Sequence, residues 1–320
     1  MKSNGLFICI VVITILISAT SLGFTQETLS IVGTASTGGT TYMVAAAITN
    51  FIHEYNKEIS IRPQVTGGTP DNILLMQSGE IEFGINVGTI SHDAYGGLAG
   101  GWWEGKPQKN LRAILRTHAS VFHFVLRKGA GIKSIEDLRG TRGCPGGRGS
   151  GTLIYTEDIL RGAGMSLDDF SSEYTGYSEA ASLLKDGHID WALYGLTVPG
   201  SNVMDLAASI DIDLLPIDGV LRENILKKVS YVPYTIPGGT YKGIGEDVET
   251  IASTLELDVD ESVPEDIVYN ITKTIFENIG EVNKLHAALR DLSLNKALEG
   301  INIPLHPGAE KYYREVGLIK

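Results

Sequence analysis

The stretch Ile31-Val32-Gly33-Thr34-Ala35-Ser36-Thr37-Gly38-Gly39-Thr40-Thr41-Tyr42 limits what this chain can become more than any other. It opens as a short apolar strand, Leu29 to Val32, and breaks into glycines and hydroxyls. Val44, Ala47, Ile48, Phe51, Ile52 and Tyr55 then recur at helical spacing. A strand-to-helix junction of this kind leaves the first helical N–H groups without intrahelical partners and turns them on the loop. The paired glycines permit close backbone approach, and Ser36, Thr37 and Thr40 add hydroxyl donors. The arrangement predicts a carboxylate cradle at a helix N-terminus; an ordinary capped turn is the alternative.

The length, 320 residues, suits about two domains at ~150 residues each. An apolar fraction of 43% supplies sizeable cores. The net charge of −12 argues against a nucleic-acid or anionic-membrane surface. A small anion is not excluded, because a pocket's field can oppose the overall sign. Residues 1–25 read as a signal peptide: Lys2, an apolar run from Leu6 to Ala19, then small residues at Ser21, Gly23 and Thr25. The run is shorter than the ~20 residues of a membrane span, although a retained anchor is an alternative. Removal leaves Cys144 as the single cysteine, so core burial must supply stability without a disulfide.

Ile59 to Val65 alternates as a strand and ends in Thr66-Gly67-Gly68-Thr69-Pro70, with Thr69 as N-cap and Pro70 opening a helix that stops at Gly79. Ile81 to Val87 is the next strand. This punctuation favours parallel strands covered by helices. Leu111 to Arg116 and Val121 to Arg127 read as two strands leading to a second lobe, and Trp102-Trp103 as a surface excursion. A second glycine loop, Gly143 to Thr152, precedes another helix. Gly187, Ile189, Asp190, Trp191 and Tyr194 echo Gly79, Ile81, Glu82, Phe83 and Asn86, as two lobes of similar build would. Pro233 to Gly245 reads as the return crossover. Ser262 to Glu265 reads as a capping box opening one long amphipathic helix, from Ile267 to Val282.

The seven histidines form no His-Glu-x-x-His and there is no Cys-x-x-Cys, so no metal is expected. Neither Ser36 nor Ser150 completes Gly-x-Ser-x-Gly, and the glycine loops lack the nucleotide-binding signatures. No nucleophile stands with a base. Binding without a cofactor is therefore favoured over catalysis.

Five motifs in order carry a resemblance: Gly33-Thr34-Ala35-Ser36-Thr37-Gly38-Gly39, Thr66-Gly67-Gly68-Thr69, Gly149-Ser150-Gly151-Thr152, Thr235 to Tyr241, and Ile303 to Arg314. With them the mature chain resembles the TAXI-type extracytoplasmic solute receptors of TRAP transporters. The resemblance implies an α/β, two-lobed periplasmic binding protein fold of type II, each lobe a mostly parallel sheet flanked by helices. The expected lobes are 26–122 with 234–320, and 123–233. It also implies a monomer, located outside the cytoplasm after signal removal. Such a receptor delivers a small acidic metabolite or amino acid, such as glutamate, glutamine or 2-oxoglutarate, to a membrane permease with fused small and large subunits. The chain departs from the family where Arg148 replaces a proline and where Asn86 replaces a glutamine. A sensor's ligand-binding subunit and an enzyme on the same fold are the alternatives.

On this reading Ser36, Thr37, Gly38, Gly39 and Thr40 hold one end of the ligand. Thr66, Gly67, Gly68 and Asn86 complete that wall. Ser150, Gly151 and Thr152 face them from the second lobe, where Arg148 pairs with a carboxylate and Tyr194 closes over the carbon chain. Arg116 is a further candidate, and Tyr42 is either a cleft aromatic or core.

Overall fold

A computed structural model describes residues 28–36, 39–98, 102–227 and 231–320. The expected signal peptide, Thr37 and Gly38 lie outside them. The strands are β1 (Thr28–Gly33), β2 (Ile59–Gln64), β3 (Phe83–Val87), β4 (Leu111–Arg127), β5 (Arg142–Cys144), β6 (Ser171–Ser172), β7 (Trp191–Leu196), β8 (Ile212–Leu214), β9 (Val232–Ile236) and β10 (Val248–Asp260). The helices are α1 (Thr40–Tyr55), α2 (Thr69–Ser78), α3 (Gly88–Gly96), α4 (Gly151–Gly162), α5 (Tyr177–Asp186), α6 (Ser201–Ser209), α7 (Gly219–Leu226), α8 (Glu265–Glu277), α9 (Ile279–Leu285) and α10 (Pro307–Glu315).

One mixed sheet runs β2-β1-β3-β10-β4-β7-β5-β6, with β8 on β4 and β9 on β10. Its two ends, β2-β1-β3 and β7-β5-β6, are parallel, as strand–helix alternation requires. Between them lie the long strands β4 and β10, antiparallel to each other and to their outer neighbours. Every residue of β3 is buried, which fits a strand covered on both faces.

Three of the expected boundaries change. The two strands read at 111–116 and 121–127 are one strand of 17 residues, because β4 pairs with β10 in its first part and with β7 in its second. After the stretch Pro233 to Gly245, β10 pairs with β9 over Val248–Ala252 and with β3 over Leu255–Val259. The expected long helix breaks at Asn278, whose Nδ2 donates to the Thr274 carbonyl at 2.9 Å and occupies the acceptor a continuing helix would use. Ser262 makes no cap either. Its N–H turns back to Asp260 Oδ1 (2.9 Å), and Pro264 is the N-cap. The apolar stripe of α8 is core as read, with Val268, Ile271, Ile275 and Phe276 buried.

The echo between the halves is structural. Gly79 and Gly187 both end their helices in the left-handed conformation, at φ 75° and 72°, and each is followed by a strand beside a long central one. Cys144 is buried and unoxidised, and burial pushes its thiol pKa up.

Candidate functional site

Four of the parallel strands end in a short polar turn from which a helix starts. β1 leads to α1, β2 to α2, β5 to α4 and β6 to α5. The N-cap residues of these four helices are Gly39, Gly68, Ser150 and Gly176, and all four line one cavity of about 220 Å3. The carboxyl ends of parallel strands are where open α/β sheets place their crevices. Here the crevice is bounded from both halves of the sheet. Only Ser150 caps its helix with a side chain, accepting from Leu153 N at 3.2 Å. The other three N-caps are glycines, so backbone N–H groups are left facing the cavity without covering side chains.

The two walls meet. Thr40 and Thr197 hydroxyls are 3.4 Å apart. Gly68 has φ 110°, which calls for glycine, and a β-carbon there would lie 3.5 Å from Gly151 N, in ordinary contact across the seam. Beyond the seam the cavity is polar on its rim and apolar at Ile85, Val87 and Leu255.

Arg148 is the single cation among the described lining residues, and no carboxylate lines the cavity with it. Its guanidinium sits over the Tyr174 ring, 4.0 Å from the centroid, which orients it without neutralising it. Opposite, the Tyr177 hydroxyl meets Thr152 Oγ1 at 2.7 Å and accepts from Gly195 N at 3.0 Å. Burial pushes the Tyr155 and Tyr177 pKa values up, so both phenols stay neutral donors.

The structure brings Ser36, Gly39, Thr40, Thr66, Gly67, Gly68, Arg148, Ser150, Gly151 and Thr152 to this one cavity. Thr37 and Gly38 lie outside the described residues. Tyr42, Asn86, Arg116 and Tyr194 do not line it. Strand alternation accounts for two of these: Ile85 and Val87 face the cavity, so Asn86 faces away; Gly195 faces it, so Tyr194 is buried behind, against Tyr177. Arg116 pairs with Glu299 (3.1 Å). Tyr42 is half-buried on α1 beyond the lining Thr40 and Thr41. Sequence reading missed Ser120, Tyr155, Thr175, Gly176 and Tyr177. Thr175-Gly176 is itself a short polar run before a helix, which was a usable signal. Ser120 lies inside a continuous strand and carried none.

Asn86 belongs to a buried network behind the wall. Thr66 Oγ1 donates to Asn72 Oδ1 (2.6 Å), Asn72 Nδ2 to Asn86 Oδ1 (3.1 Å), and Asn86 Nδ2 to Asp258 Oδ2 (2.9 Å), which Ser91 also reaches (2.7 Å). Glu256 and Asp258 are both fully buried. Neither Glu256 oxygen, nor Asp258 Oδ1, meets a donor unless one carboxyl keeps its proton. Burial, then the neighbouring charge, raises Glu256 well above the ordinary range, and burial pushes Asp258 up to about 7. The buried pair therefore holds on to protons that an exposed pair would have lost.

The profile of the NMT1-like family matches residues 32–317. Among solved structures, the fold is similar to that of a protein from Bordetella bronchiseptica RB50 (15% identity, TM-score 0.53, 87% of this chain and 83% of that one). It is also similar to a Listeria monocytogenes protein assigned to an L-cystine ABC transporter (10% identity, TM-score 0.50, 80% and 93%). A third is an ancestral arginine-binding protein bound to arginine (15% identity, TM-score 0.50, 81% and 96%). The architecture is thus the α/β fold of periplasmic solute-binding proteins.

Proposed function

The chain belongs to the NMT1-like family, and on that premise we propose that it is an extracytoplasmic receptor for a small acidic solute. The observation that carries this reading is the cavity. Four helix N-termini and Arg148 surround it, and no carboxylate of the described residues lines it. Each terminus contributes roughly 0.3–1 kcal/mol toward an anion, up to ~2 when partly buried. A hydrogen bond to a charged group contributes ~1.5–3 kcal/mol. Together these approach the ~8 kcal/mol of micromolar binding. Enclosure against Ile85, Val87 and Leu255 supplies the remainder.

The volume, about 220 Å3, is below the roughly 300–1,000 Å3 of drug-sized sites, which suits a metabolite the size of glutamate, glutamine or 2-oxoglutarate. Among the described residues the wall holds phenols, hydroxyls, backbone amides and one guanidinium, and no carboxylate, imidazole or thiol. That chemistry supports holding a solute over converting it. The two lobes read from sequence, 26–122 with 234–320 and 123–233, would hinge where β4 and β10 cross, at Ser120 and Ser253.

The five motifs favour delivery to a TRAP-type permease with fused subunits. The L-cystine relative belongs to an ABC transporter, so an ABC-type permease is the second reading. A thermal-shift screen of dicarboxylates, acidic amino acids and their amides tests the receptor. A binder raises the unfolding midpoint in a concentration-dependent way; a flat response to every acid refutes it. Reconstitution with each class of permease then separates the two deliveries.

A further inference from the structure

The described lining of this cavity carries one guanidinium and no carboxylate, and three of its hydroxyl oxygens are already occupied as acceptors. Thr69 Oγ1 already accepts from Val87 N (3.0 Å), Ser150 Oγ from Leu153 N (3.2 Å), and Thr66 Oγ1 from Gly68 N (3.1 Å). Two carboxylates lie close behind the wall and both are turned to it as acceptors. Asp71 Oδ2 takes Gly67 N at 2.9 Å, and Glu179 takes the Thr175 hydroxyl. Each sits in the first turn of its own helix, where it complements the local dipole. An anionic group entering the cavity therefore finds N–H groups, hydroxyl hydrogens and Arg148. An ammonium group finds the positive ends of four helices and a guanidinium, while the carboxylates nearest to it, Asp71 and Glu179, stand behind the lining residues already engaged as acceptors, so its desolvation is costly.

We infer that the site selects acids that carry no ammonium group, taking an oxo, hydroxy or plain carboxylate in preference to the matching α-amino acid. This rests on the acidic-solute reading above and narrows it, since that reading admits amino acids.

Isothermal titration of the exported chain with matched pairs tests the inference. The pairs are 2-oxoglutarate and L-2-hydroxyglutarate against L-glutamate, L-malate against L-aspartate, and isethionate against taurine. The expected result is a preference of about tenfold or more for the ammonium-free member of whichever pair binds. Equal or tighter binding of the amino member overturns the inference and leaves the acidic-solute receptor standing. Silence toward all three pairs overturns both. Thr41→Asp places a carboxylate on the wall at the second position of α1, where helices accept it. It should shrink the preference about tenfold, while Thr41→Asn leaves it in place. An unchanged ratio in a folded Thr41→Asp protein also overturns the inference.

Discussion

Arg148 is exposed, and its one described partner is the Tyr174 ring. Removing it should therefore cost affinity and not stability. Arg148→Ala is expected to weaken binding of an acidic ligand by roughly 10- to 100-fold, the equivalent of a charge-assisted hydrogen bond, with the unfolding midpoint unchanged. Titration calorimetry and a thermal melt on the same sample check both halves. Glu256 and Asp258 make the opposite kind of residue, invisible to the ligand and strongly coupled to pH. Both keep protons in the fold at pH values where the unfolded chain has lost them, so the folded state binds more protons and stability falls as pH rises. His118 and His123, which burial holds down to about 3 and about 4, act the other way. Their contribution is complete above the ordinary 6.5 and is lost as pH falls toward those values. Of these four groups only the carboxyls still titrate above 6.5, each at up to about 1.4 kcal/mol per pH unit. The melting midpoint should decline from about pH 6.5 to 9, and Glu256→Gln, which keeps a donor for Asp258, should flatten the decline. A mutant slope equal to that of the parent would refute the shared proton.

Helix starts, not side chains, build most of the wall, so element-level changes act on closure. Gly151 opens α4 against Val87 and Ile90 of the other wall, whose nearest atoms would stand 3.4 and 3.6 Å from a β-carbon added there. Gly151→Val fills that seam from the side of α4. The expected outcome is a loss of ligand affinity of about tenfold or more with the unfolding midpoint little altered. Small-angle scattering should show a larger radius of gyration than for the parent. Asn72, fully buried at the start of α2, ties the Thr34 and Ile85 carbonyls of β1's exit and β3 to Asn86 and Thr66. Asn72→Ala takes the donor from Asn86 Oδ1, while the Thr66 hydroxyl and the Thr34 carbonyl keep each other (3.0 Å), and should lower stability by about 1–3 kcal/mol, measured by urea unfolding. These residues also mark what was legible. Gly151 was readable because a glycine before a helix is a local pattern. Asn72 was not, because its four partners come from three separate segments.

At the scale of the molecule, two long strands join two parallel sheet ends and serve both walls. β4 and β10 pair through their middles at Ser120 and Ser253, so a bend there, as proposed, would turn one wall against the other without breaking either parallel end. Addition of a binding acid should reduce the radius of gyration in solution scattering. Profiles that superimpose with and without ligand would argue for a fixed cavity.

Sequence alone determined the parts whose physics is short-ranged. Strand, glycine turn and helix succeed one another at 28–55 and 142–162 because backbone freedom and apolar period act within a few residues. The same locality marks Ser36, Gly68, Ser150 and their neighbours as loop residues that open helices. Tertiary structure alone decided which face each strand turns to the cavity. That choice moved Asn86 and Tyr194 behind the wall and brought Ser120, Tyr155 and Tyr177 into it. It also merged two expected strands into β4 and set Glu256 against Asp258. A strand's face is fixed by the neighbours it pairs with and the helices that cover it, and those come from segments scores of residues away.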